Sequence, residues 1–363
     1  MKLGIVGGGQ LGRMMAQAAS PLGVKTILMD PADDACAGDV GQLITAAFDD
    51  STAAGELARS VDAVTFEFEN VPPETVEALS EQKPVYPPAE ALRVARDRWH
   101  EKSLFQSLGI RTPPLALVDD QDSLEAGAER VGFPCVLKTR TLGYDGKGQK
   151  VLRSRADLVG TFDELGSVPM ILEGFIDFEF EISCIGVRSQ TGQSVFYPVV
   201  VNEHRQGMLY RSEPMPLSPL QTVAENAVKA VMDALDYVGT MAFEFFVRGD
   251  ELIANEIAPR VHNSGHWTIE GARCSQFENH VRAVLGLPLG ATDLVGPVVM
   301  YNIIGQRPPI ADILKVPGVH WHDYTKAERP GRKIAHLTIS AKTSEQLEIR
   351  AKRVEELLVN DLG

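Results

Sequence analysis

Cysteine is scarce. Cys36, Cys135, Cys184 and Cys274 are the only four in 363 residues, and they lie far apart. No two form a CxxC pair, which excludes a disulfide scaffold and a cysteine-held zinc; they read as reduced core thiols of a cytosolic protein. Positive charge is also in deficit: 35 Lys and Arg stand against 49 Asp and Glu, a net charge of −14. That excludes a general nucleic-acid or anionic-membrane surface, although local cations and backbone N–H groups can still hold a small anion. No apolar run reaches the ~18 residues a membrane span needs. The opening MKLGIVGG reads as a strand rather than a secretory leader. No GK[ST] precedes a helix, so there is no Walker A loop. No internal repeat or low-complexity tract is present. What remains is ordinary for a globular chain of two or three domains: 44% hydrophobic and 23% charged.

The most informative stretch is 240–267, TMAFEFFVRGDELIANEIAPRVHNSGHW. Phe243, Phe245 and Val247 alternate, Arg248-Gly249-Asp250 carries turn chemistry, and Leu252-Ile253-Ala254 starts a return strand, which predicts a β-hairpin. With a three-residue loop, Gly249-Asp250-Glu251, Glu244 faces Glu256. Opposed residues on one sheet face sit about 5 Å apart at Cβ, so two carboxylates there repel unless a cation lies between them. Mg²⁺ takes one or two carboxylates plus substrate phosphates. The alternative is an edge hairpin with two solvated glutamates. Polar or small residues follow Glu256, Arg260, His262 and Asn263 among them, where α/β enzymes tend to put their chemistry. Arg260 is suited to grip a planar carboxylate or bicarbonate; the alternative is that it pairs with a neighbouring acid and braces the loop.

Residues 3–30 read strand, glycine turn, helix, strand. Gly7-Gly8-Gly9-Gln10-Leu11-Gly12 with Asp30 fits a dinucleotide fingerprint. Such a turn binds phosphate with or without a nicotinamide; the alternative is a tight turn with no ligand. Asp62 to Glu69 reads as a further strand whose acidic end faces either the same cleft or solvent, with Glu67 read as a solvated strand end. An amphipathic helix is expected over 96–110, with Trp99, Leu104, Phe105 and Leu108 inward and Arg98 and Lys102 on one face.

A second glycine-rich segment, KTRTLGYDGKGQK, joins strands near 135–138 and 149–152. Gly143, Gly146 and Gly148 let backbone N–H groups approach phosphate, and Lys138, Arg140 and Lys147 add positive charge; the alternative is a surface hairpin. Glu173-Gly174-Phe175-Ile176 ends a strand of the kind that pairs with adenine through its backbone. Glu181 on the next strand is placed to accept ribose hydroxyls, or else faces solvent. A lone histidine such as His204 is more often structural than chemical. Strands at 296–304 and 333–341 flank a basic segment, 326–333, that ends at Lys333.

Together GGGQLGRMM, KTRTLGYDGKGQ, EGFI, EFEIS, FEFF, NEIAPRVHNSGHWT and RPGRKIAHL resemble the ATP-grasp superfamily over essentially the whole chain. Within it they look like the 5-(carboxyamino)imidazole ribonucleotide synthetases of purine biosynthesis. The resemblance implies a mixed α/β and α+β ATP-grasp fold. A Rossmann-like pre-ATP-grasp domain would cover 1–94, an ATP-grasp domain 95–290 and a small β-rich C-terminal domain 291–363. It implies ATP and Mg²⁺ as cofactors, bicarbonate and 5-aminoimidazole ribonucleotide as substrates, and a cytoplasmic homodimer with no nucleic-acid or membrane partner. Arg98, Lys138, Gly143 to Gln149, Glu173 to Ile176, Glu181, His204 and Asn255 would surround ATP. Glu244 and Glu256 would hold the metal. Arg260, His262, Lys333 and Lys147 would serve the chemistry, with Tyr144, Asp145, Lys333, Gly9, Gln10 and Leu11 on the imidazole ribonucleotide. Many relatives carry an Asn two residues after the second glutamate; here it is Ala258, leaving open what completes the metal shell. Other readings are a formate-dependent glycinamide ribonucleotide transformylase, a nicotinamide-dependent dehydrogenase, and a non-catalytic nucleotide scaffold.

Overall fold

The computed structural model describes residues 1–141 and 148–359. The first 66 residues build a parallel sheet from β1 (Lys2–Val6), β2 (Lys25–Asp30), β3 (Gln42–Thr45) and β4 (Ala63–Phe66), in the order β3-β2-β1-β4. Strands β1, β2 and β4 are near-continuous apolar runs because both sheet faces are covered. One face packs Leu3, Ile5 and Leu28 against Met14 and Met15 of the helix Gln10–Ala19. The same cluster takes in Phe277 and Val281 from the helix Gln276–Val284, so the first domain shares its core with the middle of the chain.

The second sheet is antiparallel: β5 (Leu115–Val118), β6 (Cys135–Thr139), β7 (Gln149–Leu152) and β8 (Met170–Gly174), ordered β5-β8-β6-β7. The helix Gln121–Val131 covers it, started by Asp120, whose carboxylate accepts from Ser123 N. The third sheet is the largest. It comprises β9 (Phe180–Arg188), β10 (Ser194–Phe196), β11 (Val200–Arg205), β12 (Met208–Pro214), β13 (Gly239–Arg248), β14 (Glu251–Ala258), β15 (Val298–Ile304), β16 (Val319–Asp323) and β17 (Lys333–Ser340). The C-terminal strands are not a separate sheet. β12 pairs with β15, so the order runs β14-β13-β9-β11-β12-β15-β17-β16, and Lys333 is carried by the same sheet as Glu244.

The expected 96–110 helix is shorter, Arg98–Ser107, and a separate helix, Ala89–Arg96, precedes it. Asp97 breaks the two apart: its carboxylate caps the second helix through Trp99 N and His100 N. Of the four residues expected inward, Phe105 is fully buried, and Trp99, Leu104 and Leu108 are half-buried. Polar Glu101 and Lys102 are buried instead.

Candidate active site

A cleft of about 550 Å³ opens where the second and third sheets meet the first domain. It brings together Gln10, Leu11, Arg98, Lys138, Gln149, Glu173 to Ile176, Glu181, His204, Glu244, Asn255, Glu256, Arg260, His262 and Lys333. Gly143, Tyr144, Asp145, Gly146 and Lys147 lie outside the described residues. Gly148 sits beside the cleft with φ +70°, and a Cβ there would come 2.9 Å from Thr139 Oγ1.

The carboxylate pair is real, but it arises differently from the expectation. The turn has two residues, not three: Arg248 pairs with Glu251, Phe246 with Ile253 and Phe245 with Ala254. Continued regularly, that register sets Glu244 against Asn255 and turns Glu256 into the core. A β-bulge between Glu244 and Phe245 inserts Asn255 and restores Glu244 opposite Glu256. Phe243, Phe245 and Val247 fill the core on the other face. Glu244 is buried; burial and the nearby Glu256 and Glu181 raise its carboxyl to about 8. Burial and like charge together disfavour bare negative charge at this site.

At the other end, Lys138 Nζ is 2.9 Å from Glu173 Oε2. Burial opposes ionisation of Glu173, yet Lys102 and Lys138 hold it down to about 2. Glu181 Oε2 lies 3.3 Å from His204 Nδ1, and its carboxyl is raised to about 7 by burial and by Glu256. Phe178 stacks on Phe246 at 4.7 Å and lines the same cleft, an apolar wall that the sequence reading did not single out. Arg98 donates to Thr139 O at 3.0 Å. Arg140, expected to add charge to the glycine-rich loop, is instead engaged by Asp97 through its Nε and Nη2.

Past the hairpin, His262 is held on three sides. Gln276 brackets its backbone, accepting from His262 N and donating to His262 O. Ser264 N and Oγ both reach Nδ1. With Nδ1 accepting, the ring proton belongs on Nε2, which faces Glu244 Oε1 at 3.6 Å. Burial and the positive Arg260 and Lys333 keep this imidazole neutral. Arg260 forks onto Glu69: Nε to Oε2 is 2.5 Å and Nη2 to Oε1 is 3.2 Å. Glu69 ends the segment read as a strand whose acidic end faces either the cleft or solvent; it lies in the cleft. It lies 191 positions away, and no local pattern could have paired it with Arg260.

The first glycine turn also departs from expectation. Glu67 is buried, not a solvated strand end. Its carboxylate accepts from Gly9 N at 2.5 Å and Gly12 N at 2.7 Å, and Asp30 accepts from Gly8 N. The helix N-terminus that a dinucleotide phosphate would use is thus filled by the chain itself. The glycines make room for it: a Cβ on Gly9 would sit 2.5 Å from Glu67 Oε1. This leaves the nicotinamide reading without its phosphate site. Gly9 lines a separate pocket of about 320 Å³ with Asp30 and Lys326, while Gln10 and Leu11 face the main cleft.

Three family models match successive parts of the chain: a ribonucleotide synthetase preATP-grasp domain over 1–96, an ATP-grasp domain over 103–277, and a phosphoribosylaminoimidazole carboxylase C-terminal domain over 298–350. N5-carboxyaminoimidazole ribonucleotide synthase of Pseudomonas aeruginosa is 56% identical over 99% of both chains. The crystal structure of N5-carboxyaminoimidazole ribonucleotide synthetase from Thermus thermophilus superposes with a TM-score of 0.94 at 50% identity, covering 98% of each chain. The Aspergillus clavatus N5-carboxyaminoimidazole synthase, solved in complex with ADP and 5-aminoimidazole ribonucleotide, gives 0.91 at 28% identity, covering 99% of this chain and 98% of that one.

Proposed function

The chain belongs to the N5-carboxyaminoimidazole ribonucleotide synthase family, and from that premise we propose that it carboxylates the exocyclic amine of 5-aminoimidazole ribonucleotide with ATP and bicarbonate, in purine (IMP) biosynthesis. The observation that carries this reading is the clustering, in one cleft, of an opposed carboxylate pair with Arg260, His262 and Lys333.

The donor set fits Mg²⁺. Among the described residues no group of three or more His, Cys, Asp or Glu forms a metal cage, and two hard carboxylates leave room for waters and phosphate oxygens. Bound between Glu244 and Glu256, Mg²⁺ would offset negative charge on the ATP phosphates as one is transferred. The rest falls to the chain. Lys138 holds phosphate charge, paired with Glu173 until ATP arrives. Phe178 and Phe246, stacked on each other, give the base one apolar wall. Arg260, held on Glu69 through Nε and Nη2, offers bicarbonate its remaining Nη hydrogens and its charge while the bicarbonate oxygen attacks the γ-phosphorus and ADP leaves. The product, carboxyphosphate, is a mixed anhydride. His262 Nε2–H and Lys333 hold its oxygens as the amine attacks the carbonyl carbon, the C–O bond to phosphate breaks, and the departing phosphate takes up the proton the amine loses.

The assay is ADP release with two substrate pairs. Bicarbonate plus 5-aminoimidazole ribonucleotide should drive it, and formate plus glycinamide ribonucleotide should not; the reverse result overturns the reading. The expected domain division, 1–94, 95–290 and 291–363, is supported by the three successive family matches. A cytoplasmic setting is supported by four buried, unbridged cysteines. The homodimer rests on the family resemblance, and light scattering tests it.

A further inference from the structure

The carboxylate pair depends on one irregularity, the bulge at Asn255, and a bulge leaves backbone groups without ladder partners. Among the described residues β14 is also the edge strand of its sheet, and its open side is met by other segments: Arg111 O accepts from Ala254 N at 2.8 Å. The structure shows where the freed groups go. Lys102, almost wholly buried, donates Nζ to Ala254 O at 3.1 Å and also to Asn255 O. Glu101 beside it, also buried, accepts from Ile257 N at 2.7 Å. Two adjacent charged residues of one helix therefore bind the strand on both sides of Glu256. Neither shows the usual behaviour of its type, since Lys and Glu are rarely fully buried unless paired.

We infer that Glu101 and Lys102 are positioning residues that hold the Asn255 bulge and thereby keep the Glu256 carboxylate on the cleft face, opposite Glu244. The alternative to the bulge is not disorder but a regular ladder. Slipping to it would restore strand hydrogen bonds and turn Glu256 to the other face. Lys102 opposes the slip because its two carbonyl acceptors converge on one ammonium only while the strand is bulged. Glu101 opposes it from the next residue on, by fixing Ile257. The cation and the acid also offset each other's burial, which explains why they occur together.

The inference rests on the metal role proposed for Glu244 and Glu256, and the experiment separates the two. Mn²⁺ binding in the presence of ADP is followed by electron paramagnetic resonance on the full chain, beside metal-free ADP affinity and melting temperature. Lys102→Met keeps the length of the side chain and removes the donor. It should weaken Mn²⁺ binding at least tenfold and leave metal-free ADP affinity within threefold. Should that variant not fold, a second pair decides: Glu101→Met should lose Mn²⁺ affinity and Glu101→Gln, which still accepts from Ile257 N, should recover it. Wild-type Mn²⁺ affinity in Lys102→Met overturns the inference. So does an equal fall in Mn²⁺ and ADP affinity, which marks general damage. Likewise, equal Mn²⁺ affinities in Glu101→Met and Glu101→Gln overturn it. Glu256→Gln is the control for the parent reading. If it binds Mn²⁺ as the wild type does, the metal role fails and the inference with it; if it alone loses Mn²⁺, only the brace fails.

Discussion

Substituting Lys for Arg260 separates chemistry from bracing. Arg260 makes three contacts: two to Glu69, through Nε and Nη2, and one from Nη1 to Val261 O at 3.1 Å. A planar carboxylate therefore occupies the Nε/Nη2 side, and bicarbonate is left the remaining Nη hydrogens. Burial opposes ionisation of Glu69, but Arg260 outweighs it and holds that carboxyl below its usual range, so the pair is ionic. Lys keeps the charge and loses the fork. Loss of one oriented donor to a developing oxyanion costs roughly a hundredfold in turnover, or about 2.7 kcal/mol. Product formation by Arg260→Lys should thus fall at least about a hundredfold, while MgATP affinity stays near wild type. The companion is Glu69→Gln, which breaks the same pair from the other side and leaves the guanidinium intact. Both variants should lose comparable stability, about 1–2 kcal/mol for a weakened charge-assisted contact. Only Arg260→Lys should lose carboxylation; Glu69→Gln should keep it within about tenfold, a barrier change of no more than about 1.4 kcal/mol. Radiolabelled bicarbonate incorporation, nucleotide titration and urea unfolding on one preparation supply the three readings. If the two variants lose product formation equally, Arg260 is a brace and the reasoning fails.

Three further outcomes are expected. Glu256→Gln should nearly abolish turnover while leaving the fold intact, since it removes one of two opposed carboxylates; ordinary turnover at ordinary Mg²⁺ concentration would rule out the metal role. Glu67→Ala should cost about 2–4 kcal/mol in urea unfolding, because it strands the buried Gly12 N–H and the half-buried Gly9 N–H; a loss under about 1 kcal/mol would mean water replaces the carboxylate. Burial lowers His280 from 6.5 to about 3, so the unfolded chain binds a proton there that the folded chain refuses. Its share of stability is intact above about pH 6.5 and declines toward pH 3, reaching a loss of about 2 kcal/mol at pH 5. His266 and His336, also lowered by burial, act in the same direction. Unfolding at pH 5 and 7.5 checks this, and His280→Asn should flatten the slope.

The sequence by itself determined the elements and the chemistry they carry. Alternating Phe243, Phe245 and Val247 around a Gly-Asp turn marked the hairpin, and residues 3–30 marked a strand, glycine turn, helix and strand, because periodicity and turn preference are local properties. The clustering of Lys138, Glu181, Glu244 and Glu256 into one site was legible through motif resemblance. Tertiary structure alone decided the rest. The expected loop length was wrong by one residue, and only the Asn255 bulge, braced by a lysine 153 positions away, put Glu256 on the right face. Local pattern cannot show this, because a bulge is stabilised by whatever packs beside it. The glycine turn is legible as an anion site or as a bare tight turn, and Arg260 as a fork or a brace; that Glu67 fills the one and Glu69 takes one side of the other is decided by the fold. Each time the deciding partner was a buried charge distant in sequence. Burial of a charge depends on what the fold brings to it, and a one-dimensional pattern does not carry that information.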